Sequence, residues 1–264
     1  MRYVRLLFLH LQQLTEQKSR SLVWFLVALI NPLYMIFFWR GGINSNNQIL
    51  GWSFSSFVSY YILLMIAGSL IMSHVENEVS RDDIQQGNLV SYLTKPFPYL
   101  WLRFYSELPW RVLQGLYGGI ILLVLLLFIP NLIAIKLSFT LFSLALVMWI
   151  IAHLMAFYFK MIMGALAFWF IDTNGLYQAI DLIIIVLAGF LVPLPFLPTY
   201  LNSLAYILPF SYMIYFPIST LLGKFSIQES LSILFIQIIW LAILYLTYKF
   251  VWGKGLKVFT GVGQ

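Results

Sequence analysis

Long apolar runs, separated by short polar breaks, make up most of this chain. About 20 apolar residues in a helix cross a hydrocarbon core of about 30 Å, so runs of this length predict membrane-spanning helices. The pattern predicts an all-α protein with six spans, at about residues 21–39, 54–73, 112–129, 137–160, 176–192 and 231–251. The polar, turn-rich stretch "RGGINSNNQILGW" separates the first two spans.

Residues 1–20 combine a helical repeat of apolar positions with positive charge. Apolar residues recur at helical spacing from Val4 to Leu14, while Arg5 and Glu16 occupy other faces. This pattern is typical of a helix that lies along the membrane interface. Because the stretch has no small-residue cleavage site, we expect no removable signal peptide.

The stretch from 74 to 111 is the sizeable polar segment of the pattern. It holds five of the nine Asp and Glu residues and four of the fifteen Lys and Arg residues. Acidic residues together with Arg81 would solvate one side of a short helix, Ile84 would give that helix an apolar contact, and Gly87 would end it. A solvated connector without a binding partner is the alternative.

Prolines break the apolar pattern between the fifth and the sixth span. The stretch "LVPLPFLP" has three prolines in six positions and cannot form one continuous helix. Residues 193–230 are too apolar for an aqueous loop, yet Pro209, Pro217 and Gly223 interrupt them. We predict a re-entrant hairpin of two short helical pieces, whose irregular backbone is satisfied by protein. A seventh, proline-kinked span is the alternative, and it would place the C-terminus on the other side of the membrane.

The composition supports a membrane protein and excludes several other classes. Hydrophobic residues make up 62% of the chain and charged residues only 9%, against about 25% in globular domains. A chain without cysteine has no disulfide, thiolate metal site or cysteine nucleophile. The basic residues are dispersed over separate loops and termini, so we expect no nucleic-acid binding. We interpret residues 1–264 as a single transmembrane domain.

The distribution of Lys and Arg predicts the orientation of the spans. Cytoplasmic loops carry an excess of these residues. With the N-terminus inside, twelve of the fifteen would be cytoplasmic, and only Arg40, Lys136 and Lys224 would lie outside. Six spans return the C-terminus to the cytoplasm, where "GKGLK" could meet anionic lipid headgroups.

The sequence contains no recognisable motif for catalysis or metal binding. The nearest match to the phosphate-binding loop G-x-x-x-x-G-K-[ST] is "LLGKF", with Phe225 where Ser or Thr would bind magnesium. Neither the H-E-x-x-H zinc motif nor the G-x-S-x-G nucleophile turn occurs. We therefore predict no catalytic residue, no metal site and no ATPase on this chain.

Two ionisable residues inside the predicted spans leave a second function open. His153 lies in the fourth span and Asp181 in the fifth. Ionisable residues at membrane depth are costly and are often functional. A proton-coupled secondary transporter is therefore the alternative, although Asp181 lies near the cytoplasmic end, where a simple hydrogen bond would suffice.

Three stretches together carry a resemblance to a known family. They are "IQQGNLVSYLTKP" at 84–96, "AGFLVPLPFLPTYLNSLAYILPFSYMIYFPISTLLGK" at 188–224 and the tail "GKGLKVFTGVG". In their order and spacing they resemble the permease subunits of type-two ATP-binding-cassette exporters, and the likeness covers nearly the whole chain. The resemblance implies a coupling helix in the first cytoplasmic loop that docks on a separate ATPase, and a re-entrant hairpin before the last span.

The resemblance also implies site residues, partners and a location. The expected ATPase-coupling residues are Arg81, Asp82, Asp83, Ile84, Gly87, Asn88, Leu89, Lys95 and Pro96, and those of the hairpin are Gly189, Pro193, Pro195, Pro198, Pro209, Phe210, Tyr215, Pro217 and Gly223. Two permeases, identical or paralogous, would assemble with two ATPases that bind ATP and Mg²⁺, so no cofactor is expected on this chain. The exporter would work by alternating access in a bacterial-type inner membrane, in contact with lipids and with both termini cytoplasmic.

Overall fold

The computed structural model describes residues 18–42, 48–135 and 138–261, and this part of the chain is helical. An isolated bridge between Ile49 and Trp52 is the single β interaction among these residues. The α-helices are α1 (Lys18–Gly42), α2 (Phe54–Ile71), α3 (Val75–Asn77), α4 (Leu89–Leu93), α5 (Tyr99–Phe128), α6 (Phe139–Ala165), α7 (Asn174–Leu187), α8 (Thr199–Ile207), α9 (Pro209–Met213), α10 (Tyr215–Leu221) and α11 (Ile227–Val258). The predicted interfacial helix, residues 1–20, falls almost entirely outside the described residues.

Four helical stretches of the described chain are long and apolar enough to cross a membrane. They are Phe54–Gln85, Tyr99–Phe128, Phe139–Phe168 and Ile227–Val258. The 14-residue α7 is apolar but only about 21 Å long, which is shorter than a hydrocarbon core of about 30 Å. These helices indicate a multi-pass membrane protein. The remaining predicted spans coincide with α1, which has 25 residues, and with α7.

Two helix boundaries differ from those of the expected spans. Helix α5 begins at Tyr99, so residues 99–111, predicted as polar loop, form its first three turns, with Pro109 inside the helix. Helix α6 passes through Lys160 and ends at Ala165. The hydrocarbon thickness limits the apolar part of a helix and not its length, since charged residues that find partners can extend the helix beyond the core.

The bundle is organised around α6. This helix packs along α11 and also contacts α2, α9 and α10. An apolar core that includes Phe57 and Tyr61 of α2 and Met148 and Met155 of α6 joins these elements. A second core lies under the polar stretch that follows α2 and contains Val79. The first core holds the membrane helices together, and the second holds the polar stretch against them.

The proline-rich region folds into more pieces than the predicted two. Pro193 and Pro198 precede a 3-10 turn and α8, and Pro209 is the first residue of α9. A further break at Ile214, with φ −122° and ψ −65°, separates α9 from α10. Proline lacks a backbone donor and disfavours the helical conformation of the preceding residue, so Pro193, Pro198 and Pro209 each stand at the start of a new helical piece. The region contains three short α-helices and one 3-10 turn.

Candidate functional site

Residues 75–88, here called the acidic segment, directly follow α2. Helix α3 continues without a break into a π-helical stretch, Glu78–Gln85, that ends near Gly87, where φ is +78°. π-Helices are rare, and those that occur, mostly single turns within α-helices, are frequently found at functional sites. The segment contains four of the acidic residues of the chain. It ends in a turn at residues 86–88, here called the exposed turn.

The apolar side of the acidic segment faces the protein interior. Val75, Val79 and Ile84 belong to the second core, and Ile84 is only 4% exposed. A glycine on α6 allows the close approach, because a Cβ on Gly164 would lie 2.7 Å from the Cβ of Val79. Ile84 therefore packs within the chain and does not present an apolar surface to a partner.

A first buried ion-pair network fixes the segment to α5. The Arg103 guanidinium donates to Asp83, with Nε 2.8 Å from Oδ2, and its Nη1 lies 2.5 Å from Oε2 of Glu78. The Tyr99 hydroxyl donates a hydrogen bond to the same Asp83 carboxylate, whose side chain is 1% exposed. A planar guanidinium can serve two carboxylates at once, so Arg103 pairs with the half-exposed Glu78 while it neutralises the buried Asp83.

A second network connects the segment with α6 and α7. Lys160 Nζ donates to Glu76 Oε1 and to Asp181 Oδ1, each at 2.9 Å. Beyond the ion pairs, Gln85 Nε2 donates to the carbonyl oxygen of Ile171 at 2.6 Å. The acidic segment is thus bonded to α5, to α6 and to the connection that leads into α7.

Three further ionisable residues of the helices, Glu107, Arg111 and His153, also have partners. Arg111 donates to Glu107 on the same helix, with Nη2 2.9 Å from Oε2, and Ser73 donates to that carboxylate at 3.1 Å. The His153 ring nitrogen Nδ1 lies 2.9 Å from the Leu70 carbonyl oxygen, in the last turn of α2. The two residues considered for proton coupling, His153 and Asp181, thus both take part in contacts between helices.

The expected coupling residues divide into a buried and an exposed set. Asp83, Ile84 and Leu89 are buried, whereas Arg81, Asp82, Asn88, Lys95 and Pro96 are exposed and Gly87 is partly exposed. The Asn88 side chain donates to the Asp82 carbonyl at 2.8 Å and closes the exposed turn.

Two exposed apolar residues beside the exposed turn were not among the expected coupling residues. Val90 and Leu93 of α4 are 44% and 46% exposed. Their spacing of three residues makes them neighbours on the surface of α4, and this spacing was the available signal. Apolar side chains exposed in a polar region commonly mark an interaction surface.

The expected hairpin residues lie towards the opposite end of α2. The hydroxyls of Tyr60 and Tyr61, in the first two turns of α2, donate to the carbonyl oxygens of Gly189 at 2.7 Å and of Leu191 at 2.9 Å. Gly189 has φ +89°, and a Cβ there would lie 2.6 Å from the Tyr60 hydroxyl oxygen. Of the other expected residues, Pro193, Pro209, Phe210, Tyr215 and Pro217 are buried, Pro195 and Gly223 are partly exposed, and Pro198 is exposed.

Comparison with known proteins assigns a family. The family model described as "ABC-2 family transporter protein" matches residues 29–263. No curated protein matches the chain. The family match and the apolar helices agree in indicating a multi-pass membrane protein with the transport role of a permease. The chain belongs to the ABC-2 family of transporter proteins.

Proposed function

We propose that the chain is the membrane permease subunit of an ATP-driven exporter, with ATP and Mg²⁺ bound by a separate ATPase that docks on the acidic segment. One observation carries this proposal. The segment is bonded to α5 through Arg103 and to α6 and α7 through Lys160, while its exposed turn faces away from the bundle. A partner that displaces the turn therefore acts on three helices at once.

The docking surface we propose consists of the exposed turn and the exposed side of α4. Val90 and Leu93 provide the apolar contact that the sequence suggested for Ile84, and Arg81, Asp82 and Lys95 surround them. Interfaces between proteins commonly have a small apolar centre within a polar rim. This arrangement fits a cytosolic protein partner.

The proposal extends to the topology of the whole subunit. We propose six spans with both termini in the cytoplasm, because this arrangement puts most of the Lys and Arg residues inside. Residues 193–230 would form a re-entrant cap at the outer end. Two permease copies, identical or paralogous, would form the pathway between them and expose it to each side of the membrane in turn.

The docking surface can be tested by replacing its apolar centre. Truncation of an interface hot spot costs about 2 kcal/mol or more, so Val90→Asp with Leu93→Asp should weaken ATPase binding by at least about tenfold. The measurement is the affinity of the detergent-purified permease for an ATPase that co-purifies with it and carries a phosphate-binding loop.

The matched control places the same charge on the opposite side of the bundle. Leu50, in the loop before α2, is 67% exposed, so Leu50→Asp should leave ATPase binding unchanged. If the wild-type chain binds no ATPase and its transport follows the proton gradient, the secondary-transporter alternative is correct. If the double variant binds the ATPase normally, the docking surface lies elsewhere.

A further inference from the structure

Helix α7 presents a short polar stripe to the acidic segment and to α6. Asn174, Tyr177 and Asp181 are spaced by three and four residues and therefore share one side of the helix. Arg81 donates to Asn174, with 3.4 Å between Nη2 and Oδ1, and the Tyr177 hydroxyl donates to the Met163 carbonyl at 3.1 Å. The cytoplasmic half of α7 is thus held by polar contacts.

The rest of α7 is apolar and partly exposed. Leu182, Ile183 and Ile185 are exposed, and the helices that α7 packs on most are the short helices α8 and α9. These two helices belong to the proline-rich region at the outer end. Helix α7 therefore connects the polar contacts at its start with the outer part of the protein.

Lys160 occupies the position between the acidic segment and α7. Its side chain is 5% exposed and its ammonium group contacts one carboxylate from each side, Glu76 and Asp181. An ammonium has three donors, so it can hold two carboxylates at the same time. The two contacts differ, because the Glu76 side chain is 1% exposed whereas that of Asp181 is 43% exposed.

We propose that Lys160 is a positioning residue that couples the acidic segment to α7 during transport. Lys160 stays paired with the buried Glu76, and the water-accessible contact with Asp181 passes displacement of the segment on to α7 and from there to α8 and α9. This inference rests on the proposed ATPase docking. It adds to that proposal a route of contacts that leads from the acidic segment through Lys160 and α7 to α8 and α9.

The variants that test this role are chosen by burial, because Glu76 is buried and Asp181 is half-exposed. Lys160→Met would leave the Glu76 carboxylate buried without a counter-ion, and such a chain can fail to fold. Asp181→Asn removes only the half-exposed charge and leaves the Glu76 pair intact. Glu76→Gln with Lys160→Met removes the buried charges together, and replacing a buried ion pair in this way is often tolerated.

The natural absence of cysteine makes the movement measurable with introduced spin labels. One label pair joins Gln86→Cys, in the exposed turn, to Gly253→Cys on α11. The second pair joins Ala179→Cys on α7 to the same reference. All three positions are exposed, and a Cβ at Gly253 meets no atom within 4 Å. Distances are measured by pulsed electron paramagnetic resonance with the ATPase bound, before and after ATP is trapped.

We expect ATP trapping to change both distances in the otherwise unmodified chain. Asp181→Asn should preserve ATPase binding and the change in distance between the labels at Gln86 and Gly253. It should abolish the change in distance between the labels at Ala179 and Gly253. It should also lower permease-stimulated ATP hydrolysis by about fivefold or more, which is the lower end of typical coupling factors. The double variant at Glu76 and Lys160 should have the same effect. Asp181→Glu should restore both readouts, because it restores the carboxylate.

A control variant and two outcomes separate failure of the coupling role from failure of the proposed function. Gln178→Asn changes an exposed side chain on the same helix and should leave both distances unchanged. If the first pair responds to ATP but α7 does not, or if α7 still responds in Asp181→Asn, the coupling role of Lys160 is wrong and the proposed docking stands. If neither pair responds in a chain that binds its ATPase, or if no ATPase binds, the proposed function fails and the inference with it.

Discussion

At the scale of single residues, Arg103 carries an unusual share of the polar contacts in the acidic segment. It pairs with the buried Asp83 and with the half-exposed Glu78, and it lies 5.1 Å from the centre of the Tyr92 ring. Two elements of the polar region, the acidic segment and α4, therefore converge on one guanidinium of α5. A lysine could not reproduce this arrangement, because an ammonium lacks the planar fork that contacts two carboxylates and a ring.

Replacing Arg103 should destabilise the protein more than most single substitutions. Arg103→Met leaves the Asp83 carboxylate buried without a counter-ion, and breaking a buried pair in this way costs about 3–5 kcal/mol. We expect a clearly lower thermal unfolding midpoint in detergent, measured by intrinsic tryptophan fluorescence. Arg103→Met combined with Asp83→Asn should recover much of the loss. An unchanged midpoint for the single variant would show that the pair is not buried in the membrane-embedded protein.

Part of this arrangement was predictable from the sequence and part was not. The density of acids after the second span indicated a special segment, and Gly87 indicated where it ends. The sequence did not reveal which acids are buried, because Lys160 is separated from Glu76 by 84 positions and from Asp181 by 21. Ile84 was assigned to an outer surface because a single apolar residue among charges has no visible counterpart along the chain.

At the scale of elements, the fit between the acidic segment and α6 depends on the absence of a side chain at Gly164. Gly164→Ala would place a methyl group 2.7 Å from the Val79 side chain and 3.2 Å from the Glu76 backbone. Overpacking of this kind costs about 1–3 kcal/mol. We expect a lower unfolding midpoint, together with faster thiol labelling of a cysteine at Ile84.

A second glycine gives the matched control for this prediction. Gly119 of α5 is exposed, and a Cβ there meets no atom within 4 Å. Gly119→Ala should therefore be neutral or stabilising, since alanine favours the helix by about 1 kcal/mol. Equal effects of the two substitutions would contradict the close contact between the segment and α6.

The long apolar helices were predictable because each contains enough consecutive apolar residues to cross a bilayer. The start of α5 was not, since this helix already includes Glu107 and Arg111, two residues that pair with each other one helical turn apart. The π-helical form of the acidic segment could not be predicted from the sequence either. It depends on packing against α6, and a periodicity argument assumes 3.6 residues per turn throughout.

At the scale of the whole molecule, the proposed orientation can be tested with single cysteines. A membrane-impermeant thiol reagent should label Thr199→Cys in intact cells, because this exposed residue lies at the outer end of the proposed topology. Cysteines at Gln86 and Lys254 should react only after the membrane is permeabilised. Labelling of Lys254→Cys from outside would require an odd number of crossings and would exclude the re-entrant hairpin.

The two tyrosines of α2 limit how α7 can move in the proposed coupling. Their hydroxyls donate to the carbonyl oxygens of Gly189 and Leu191, just after the last turn of α7. Asp181, which contacts Lys160, lies in the middle of the helix, six residues before its last residue, Leu187. A rod that is held at one end and pushed at a point away from that end rotates about the held end. We therefore expect α7 to tilt about Gly189, and not to slide along its axis, when Asp181 is displaced.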